Sequence, residues 1–229
     1  MNISGLNNFQ TIITASLNEE IHILDEHEGM CFFTKTRFKT EDFKGNKIED
    51  IENKFRVTSI WSVNITDGQI RKITPYGDFD INDVYITANY LYFVKITDAD
   101  HDGLLLEEDY QGGELWRVHW QTLDHTLCFN IRPYNFHRFL TANDNYVVFV
   151  SEDRIPDVTE VVFYDLNTKR FAVLNNVYDY DWCDFRLIDD KKGEPVFLFQ
   201  KKYSEGVMQD VPCVNLVTWP DLIAQLDWE

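Results

Sequence analysis

Two stretches of this sequence share a common plan and decide the fold: DVYITANYLYFVKIT at residues 83–97 and RFLTANDNYVVFVSE at residues 138–152. Thr-Ala-Asn occurs at 87–89 and again 54 positions later at 141–143, and an apolar run follows each copy. Similar runs stand at 30–33 (MCFF) and 196–199 (VFLF). Short apolar runs that are rich in β-branched and aromatic residues and bounded by turn residues are typical of buried strands.

A second similarity follows these runs, because a strand, a polar turn and another strand recur in the same order. The order is found in SIWSVNITDGQIRKIT (59–74), GELWRVHWQTLDHTLCF (113–129) and TEVVFYDLNTKRFAVLN (159–175), and PCVNLVTWPDLIAQL (212–226) begins in the same way. A unit of about 45–60 residues therefore recurs four times, which is the period of propeller blades. We predict an all-β fold, a small β-propeller of about four four-stranded antiparallel blades.

The predicted propeller forms one domain, residues 1–229, with repeats at roughly 17–77, 78–134, 135–178 and 179–229. The fourth repeat departs from the plan, because Pro220 and Asp221 open a run that is typical of a helix start. We expect residues 9–15 to supply the strand that this repeat lacks and so to close the ring. The alternative is that the chain is part of a larger ring of six to eight blades.

The segments IWSVNITDGQIRKIT (60–74) and ELWRV (114–118) resemble the third and fourth strands of TolB-like propellers. The resemblance extends over residues 55–175 and is of superfamily grade, within the broad class that includes the tryptophan-aspartate repeats. It implies the propeller fold. Because such propellers serve as binding platforms, scaffolds and enzymes, the resemblance does not assign a function.

The chain is strongly acidic, since its 21 Lys and Arg residues face 39 Asp and Glu residues, for a formal net charge of −18. A surface of this charge repels phosphates, which argues against nucleic acid and anionic membranes as partners. It suits a cation or a basic partner. The alternative is that the charge only keeps an aromatic-rich β protein soluble.

Cysteine spacing and the first residues bear on the cellular compartment. The four cysteines, at 31, 128, 183 and 213, form no CxxC pair and no metal-knuckle spacing. MNISGLNNFQ has no basic segment followed by an apolar one, and no run has the length that a membrane span needs. We expect a cytoplasmic protein.

The most specific motif is DADHDGLLLEED at 98–109, between the second and third strands of the second repeat. Three alternating aspartates followed by a glycine match the opening of an EF-hand calcium loop, in which these carboxylates converge on one centre. The predicted ligands are the side chains of Asp98, Asp100, Asp102 and Asp109 and the carbonyl oxygen of Leu104.

We predict Ca²⁺ at this loop, with Mg²⁺ as the alternative, because Asp109 replaces the usual bidentate Glu at the last position. The loop is similar to calcium loops that some bacterial TolB-like propellers insert at this place. The alternative is a solvated acidic hairpin loop without metal. The corresponding loop of the first repeat, residues 37–57, lacks the alternating spacing and is interpreted as a charged surface loop.

The links between repeats are rich in aromatic and acidic residues. In a four-stranded meander, these links leave on the same face as the loop between strands two and three, and therefore beside the predicted metal loop. The predicted ligand-binding rings are those of Tyr76, Phe79, Tyr134, Phe136, Tyr178 and Trp182. Rings with acidic neighbours suit a basic peptide or a carbohydrate. The alternative is that such rings fill the seams between blades.

Motifs of enzymes are weak in this sequence, which contains no GxSxG, P-loop, GxGxxG or HExxH. We therefore expect a non-enzymatic binding or scaffold propeller whose acidic, aromatic face holds a protein or peptide, basic ones included. The alternative is a carbohydrate-active or hydrolytic propeller enzyme with carboxylates on the same face.

Overall fold

The computed structural model describes residues 13–49, 55–106, 109–131, 136–152, 159–174, 186–189, 195–204 and 207–229. Their regular structure is almost entirely antiparallel β-strand. Four sheets follow one another along the chain, and in each sheet neighbouring strands are also neighbours in sequence. Because this repeated meander is the architecture of propeller blades, the predicted fold class is confirmed.

Each of the first three sheets has four strands. The first contains β1 (Glu19–His27), β2 (Met30–Phe38), β3 (Arg56–Asn64) and β4 (Ile70–Lys72). The second contains β5 (Asp80–Ile86), β6 (Tyr90–Ile96), β7 (Glu114–His119) and β8 (Asp124–Asn130). The third contains β9 (Phe136–Ala142), β10 (Tyr146–Glu152), β11 (Thr159–Asp165) and β12 (Arg170–Leu174).

The fourth sheet has three strands within the described residues, namely β13 (Arg186–Asp189), β14 (Pro195–Ser204) and β15 (Val207–Thr218). The predicted helix follows as α1 (Trp219–Gln225), with Thr218 as its N-cap. Residues 13–15 carry no regular structure, and residues 9–12 lie outside the described residues. Closure of the ring by 9–15 therefore stays a prediction.

The turn between the two outer strands has one geometry in three sheets. The backbone N–H of its last residue donates to the carbonyl four residues earlier, and that last residue has a positive φ. The pairs are Gly68 with Asn64, Leu123 with His119, and Lys169 with Asp165. The side chains of Asn64 and Asp165 also accept backbone N–H bonds within their turns. The polar residues between these strands predict such turns, in which an Asn or Asp side chain accepts backbone N–H bonds.

The shared Thr-Ala-Asn motif, in contrast, does not occupy equivalent positions in the second and third sheets. Thr87 donates its N–H to Tyr90 in the turn between β5 and β6, whereas Asn143 donates to Tyr146 between β9 and β10. The equivalent residues are thus the two tyrosines, which are 146 − 90 = 56 residues apart. The motif recurs after 54 residues, whereas the equivalent turns are 56 residues apart, because Thr141 and Ala142 still belong to β9.

The chain forms two compact units. The first contains residues 1–81 and 97–106, and its buried side chains include Phe32 and Ile60. The second contains 82–96 and 107–229. The single-domain division and its repeat bounds stay predictions. Among the described residues, no helix has the length and apolar character needed to cross a bilayer.

In the second unit, α1 and the residues after it pack on the third sheet. Leu222 belongs to a buried cluster with Val148, Val161, Phe163 and Ala172. Glu229 exchanges two backbone hydrogen bonds with Phe171, at 2.8 and 3.2 Å, and so continues the sheet beyond β12.

Candidate metal-binding loop and neighbouring aromatic residues

The predicted metal loop connects β6 to β7, and its three alternating aspartates converge. One carboxylate oxygen from each of Asp98, Asp100 and Asp102 lies within 4.8 Å of the other two. Asp98 is half-buried, whereas Asp100 and Asp102 are exposed. A cation placed among these oxygens would contact a set of hard carboxylate ligands, which Ca²⁺ and Mg²⁺ both prefer.

Backbone hydrogen bonds hold the loop in this shape. Asp98 accepts the N–H of Asp102 at 3.1 Å through Oδ1 and the N–H of Gly103 at 2.8 Å through Oδ2. Asp100 accepts the N–H of Asp102 at 3.0 Å, and Asp102 accepts the N–H of Leu104 at 2.7 Å. Gly103 has φ of +101°, a conformation that glycine adopts without steric cost. The alternating spacing therefore builds a tight loop whose carboxylates face one another.

Within the first unit, a loop of the first repeat contacts the loop that carries Asp98, Asp100 and Asp102. The N–H of Phe43 donates to the Gly103 carbonyl at 2.7 Å, and Lys44 Nζ donates to the His101 carbonyl at 2.7 Å. A Cβ added to Gly103 would lie 3.3 Å from Lys44 carbons, so the two loops are in close contact. The segment interpreted from sequence as a charged surface loop is therefore also a support for the acidic loop.

The supporting loop is itself fixed by Asp42 and Asn46. Asp42 accepts the backbone N–H of Asn46 at 2.7 Å and its side-chain amide at 2.8 Å. The hydrogen bond from the Asn46 side chain is the main cause that lowers the pKa of Asp42. Sequence reasoning did not find this support. The available signal was Asp42 followed by Gly45 and Asn46, which is a turn pattern.

The other two predicted ligands are placed as follows. Leu104 directly follows the turn at Gly103, is half-buried, and donates its N–H to Asp102. Asp109 is buried, belongs to the second unit, and begins a 3-10 helix, Asp109–Gln111. Metal binding by Leu104 and Asp109 stays a prediction.

Tyr76 lies in a cluster of charged residues in the first unit. The Arg37 guanidinium stacks on its ring, with 4.5 Å between Cζ and the ring centroid. Its hydroxyl donates to Glu19 Oε1 at 3.5 Å, and the same oxygen accepts Arg37 Nη2 at 2.8 Å. The hydrogen bond from Arg37 is the main cause that lowers the pKa of Glu19 to about 2.

The remaining predicted rings differ in their surroundings. Phe79 is half-buried and covers Gly77, because a Cβ on that glycine would lie 2.2 Å from the Phe79 ring. Phe136 is only 4% exposed and packs edge-on against Phe139 at 4.9 Å, which favours the interior-packing alternative for this ring. Tyr134, Tyr178 and Trp182 lie outside the described residues.

Tyr76, Phe79 and the acidic loop lie at the same end of the first sheet. Arg37 is at the end of β2 and contacts Tyr76, and the residues after it form the loop that supports Gly103. Arg56 begins β3 at this end, and its Nε is 3.6 Å from the carboxylate of Asp80, the residue after Phe79. Tyr76, Phe79 and the loop of Asp98, Asp100 and Asp102 thus belong to the first unit, whereas Phe136 and Asp109 belong to the second, and the shared ligand-binding face stays a prediction.

The chain was compared with protein families, curated proteins and solved structures. No protein-family model matches it, and no curated protein matches it. One similar structure is TolB from Acinetobacter baumannii, with 14% identity and a TM-score of 0.45 over 86% of this chain and 41% of that one. Another is the β-propeller domain of the Trilobed protease from Pyrococcus furiosus, with 12% identity and a TM-score of 0.45 over 92% of this chain and 73% of that one. The chain thus spans less than half the length of the TolB chain.

Proposed function

We propose that the protein is a non-enzymatic binding or scaffold module in which a divalent cation orders the loop around Asp98, Asp100 and Asp102. The cation is Ca²⁺, with Mg²⁺ as the alternative. The sheet end that carries this loop, Tyr76 and Phe79 holds a protein or peptide with basic residues. The observation that carries the proposal is the convergence of the three carboxylates within 4.8 Å of one another.

The ligand set supports a hard divalent cation. Three negative charges at this separation repel one another, and a divalent ion in their midst offsets the repulsion. The hydrogen bonds of Asp100 and Asp102 to backbone N–H groups use Oδ1 of each. Within the described part of the chain, this leaves Oδ2 of both residues for a cation.

The support from the first repeat gives the cation a structural role. The carbonyls of His101 and Gly103 are already bonded to Lys44 and to Phe43, so the loop is attached to the end of the first sheet. A cation that fixes the loop would therefore also fix this end of the sheet. A surface that is ordered before binding loses less conformational entropy when a partner binds.

Calorimetric titration with Ca²⁺ and Mg²⁺ tests the cation, together with thermal unfolding in calcium and in chelator. We expect binding, and a higher melting temperature in calcium because the ion binds only the folded form. Both effects should vanish in Asp100→Asn plus Asp102→Asn. The control is Asp67→Asn, which removes an exposed carboxylate that accepts a backbone N–H in another turn. Equal melting temperatures of the wild type in both buffers, with no binding heat, would refute the cation.

Fluorescence anisotropy tests the partner class with a labelled lysine-rich peptide, its glutamate counterpart and a set of neutral oligosaccharides. We expect the lysine peptide to bind the calcium-loaded wild type, and to bind less tightly after Tyr76→Ala. Binding of an oligosaccharide instead would favour the carbohydrate alternative.

A further inference from the structure

One face of the first sheet combines aromatic rings, cations and exposed apolar side chains. The strand register places Ile23, Phe33, Trp61 and Lys72 in a single row across β1 to β4. The half-buried Trp61 ring stacks on Phe33, with centroids 6.5 Å apart and planes at 18°. Ile23 is 69% exposed. Ile70, which shares the face because it is two residues from Lys72 along β4, is 42% exposed.

Cations of this face contact two aromatic rings. The ammonium groups of Lys72 and Lys35 lie 4.8 and 5.6 Å from the centroid of Trp61. The guanidinium of Arg37 lies 4.5 Å from the centroid of Tyr76. Contacts of this kind hold a cation near an aromatic face while leaving part of it in solvent.

The exposed charge of this face is positive, although the chain carries −18. The Glu19 side chain, 7% exposed, lies between Lys35 and Arg37 at 3.2 and 2.8 Å, so one acid faces two cations. Glu26 lies at the other end of β1, where its carboxylate accepts the N–H of Gly29. Within the described residues, Lys72 has no salt bridge, and the Arg37 side chain stays 50% exposed.

We propose that this face, defined by Ile23, Arg37, Trp61, Ile70 and Lys72, is a docking surface for an acidic peptide segment of a partner that also carries apolar residues. Carboxylates of the segment pair with Lys72 and Arg37, and its apolar side chains cover Trp61 and the two isoleucines. Aromatic and arginine side chains beside exposed apolar ones are the composition of protein interfaces. The opposite charge of segment and face steers the encounter, because the rest of the chain repels acidic segments. No residue of the metal loop takes part. Arg37 also stacks on Tyr76 of the proposed function, so the test substitutes Lys72, which the proposed function does not use.

The test is fluorescence anisotropy with a short fluorescein-labelled peptide of alternating Glu and Leu, and with the same peptide carrying Lys in place of Glu. We expect the Glu peptide to bind. Any binding of the Lys peptide should be unchanged by Lys72→Glu, because the proposed function assigns a basic peptide to the sheet end with Tyr76. Lys72→Glu should weaken binding about tenfold or more, since it replaces an attractive charge by a repulsive one. The matched control is Arg71→Glu, the same charge change on the neighbouring residue of β4, whose side chain points to the opposite face. The control should change affinity less than about twofold.

The Glu peptide should bind with the same affinity in calcium and in chelator, because the metal loop is not involved. The inference is overturned if the Glu peptide does not bind, if Lys72→Glu leaves its affinity unchanged, or if both substitutions weaken binding equally. Sedimentation of the protein alone adds a check. Self-association that Lys72→Glu abolishes would show that a second copy of the chain, and not a partner's acidic segment, occupies the face.

Discussion

The phenol of Tyr92 donates a 2.9 Å hydrogen bond to the backbone carbonyl of Asn143 and thereby joins the second sheet to the third. Tyr92 is fully buried, and this burial raises the pKa of its hydroxyl well above the ordinary value, while the positive charge of the nearby Arg117 acts in the opposite direction. Tyr164 makes a similar bond to the carbonyl of Cys128 at 3.1 Å. Buried phenols therefore satisfy backbone carbonyls where these two sheets meet.

Tyr92→Phe should lower the free energy of unfolding by about 1–3 kcal/mol, because the carbonyl of Asn143 loses its hydrogen-bond donor. Urea denaturation measures the change. Tyr90→Phe is the control, since Tyr90 lies on the same face of β6 and is half-buried. Equal losses in the two variants would show that the Tyr92 hydrogen bond contributes little.

Glu19 makes the stability of the first sheet sensitive to acid. Its pKa falls from 4.5 to about 2 on folding, chiefly through the hydrogen bond from Arg37. A carboxyl whose pKa is lowered stabilises the fold above its unfolded pKa and loses that contribution as the pH falls through the folded pKa. We expect the wild type to lose this contribution between pH 4.5 and about 2.

Glu19→Gln should remove that part of the pH dependence and lower stability at neutral pH, because Arg37 and Lys35 lose their carboxylate. Urea denaturation over the acid range measures both effects. Glu20→Gln removes a charge from the opposite face of β1 and is the control. A Glu19→Gln variant with the same acid slope as the wild type would contradict the prediction.

The fold could be predicted from sequence because turn chemistry and apolar runs are local signals. The polar residues at Asn64–Gly68 and Asp165–Lys169 specify the same turn, and β6 and β10 each follow a turn and carry an apolar run. The alignment of the second repeat with the third was harder to predict, because the Thr-Ala-Asn motif has a different position relative to the strand end in each. Thr87 follows β5, whereas Thr141 and Ala142 end β9. A two-residue offset keeps every side chain on the same face, so the apolar pattern did not reveal it.

Only part of the candidate site could be predicted in this way. The spacing of Asp98, Asp100 and Asp102 dictates their convergence, since it is a property of one short segment. The support from Lys44 could not be predicted, because it joins loops of different repeats at a separation of 57 residues. The face around Trp61 was missed for a similar reason, because its cations come from β2 and β4 while the ring is on β3.

Gly113 precedes β7 in a position where a side chain has no space. Its φ is +137°, and an added Cβ would lie 2.8 Å from Val94 Cγ1 and 2.9 Å from Ile96 Cδ1. Gly113→Ala should therefore cost about 2–4 kcal/mol, from backbone strain and overpacking together. Gly68→Ala is the control, because Gly68 has φ of +72° and no atom within 4 Å of the added Cβ. It should cost only about 1 kcal/mol, and equal losses in urea denaturation would contradict the steric argument.

Leu222 makes α1 part of the cooperative fold of the third sheet. A seven-residue helix is marginal by itself, so its stability comes from the packing of Leu222, which is 5% exposed, against Val148 and Phe163. Leu222→Ala should lower the free energy of unfolding by about 2–4 kcal/mol through lost burial and a cavity. Leu17→Ala makes the same change at a side chain that is 105% exposed, and should stay within about 0.5 kcal/mol of the wild type.

Thermal unfolding followed by circular dichroism measures the global transition in both variants. Tryptophan fluorescence, measured in a variant with Trp61, Trp116, Trp120 and Trp182 replaced by Phe, reports on the helix and the residues after it, because Trp219 and Trp228 contact Tyr146 at centroid distances of 5.5 and 5.9 Å. In Leu222→Ala, we expect both signals to change together at a lower temperature, since the helix and the third sheet share one buried cluster. A fluorescence change that precedes an unshifted circular dichroism transition would show instead that α1 detaches while the sheet stays folded.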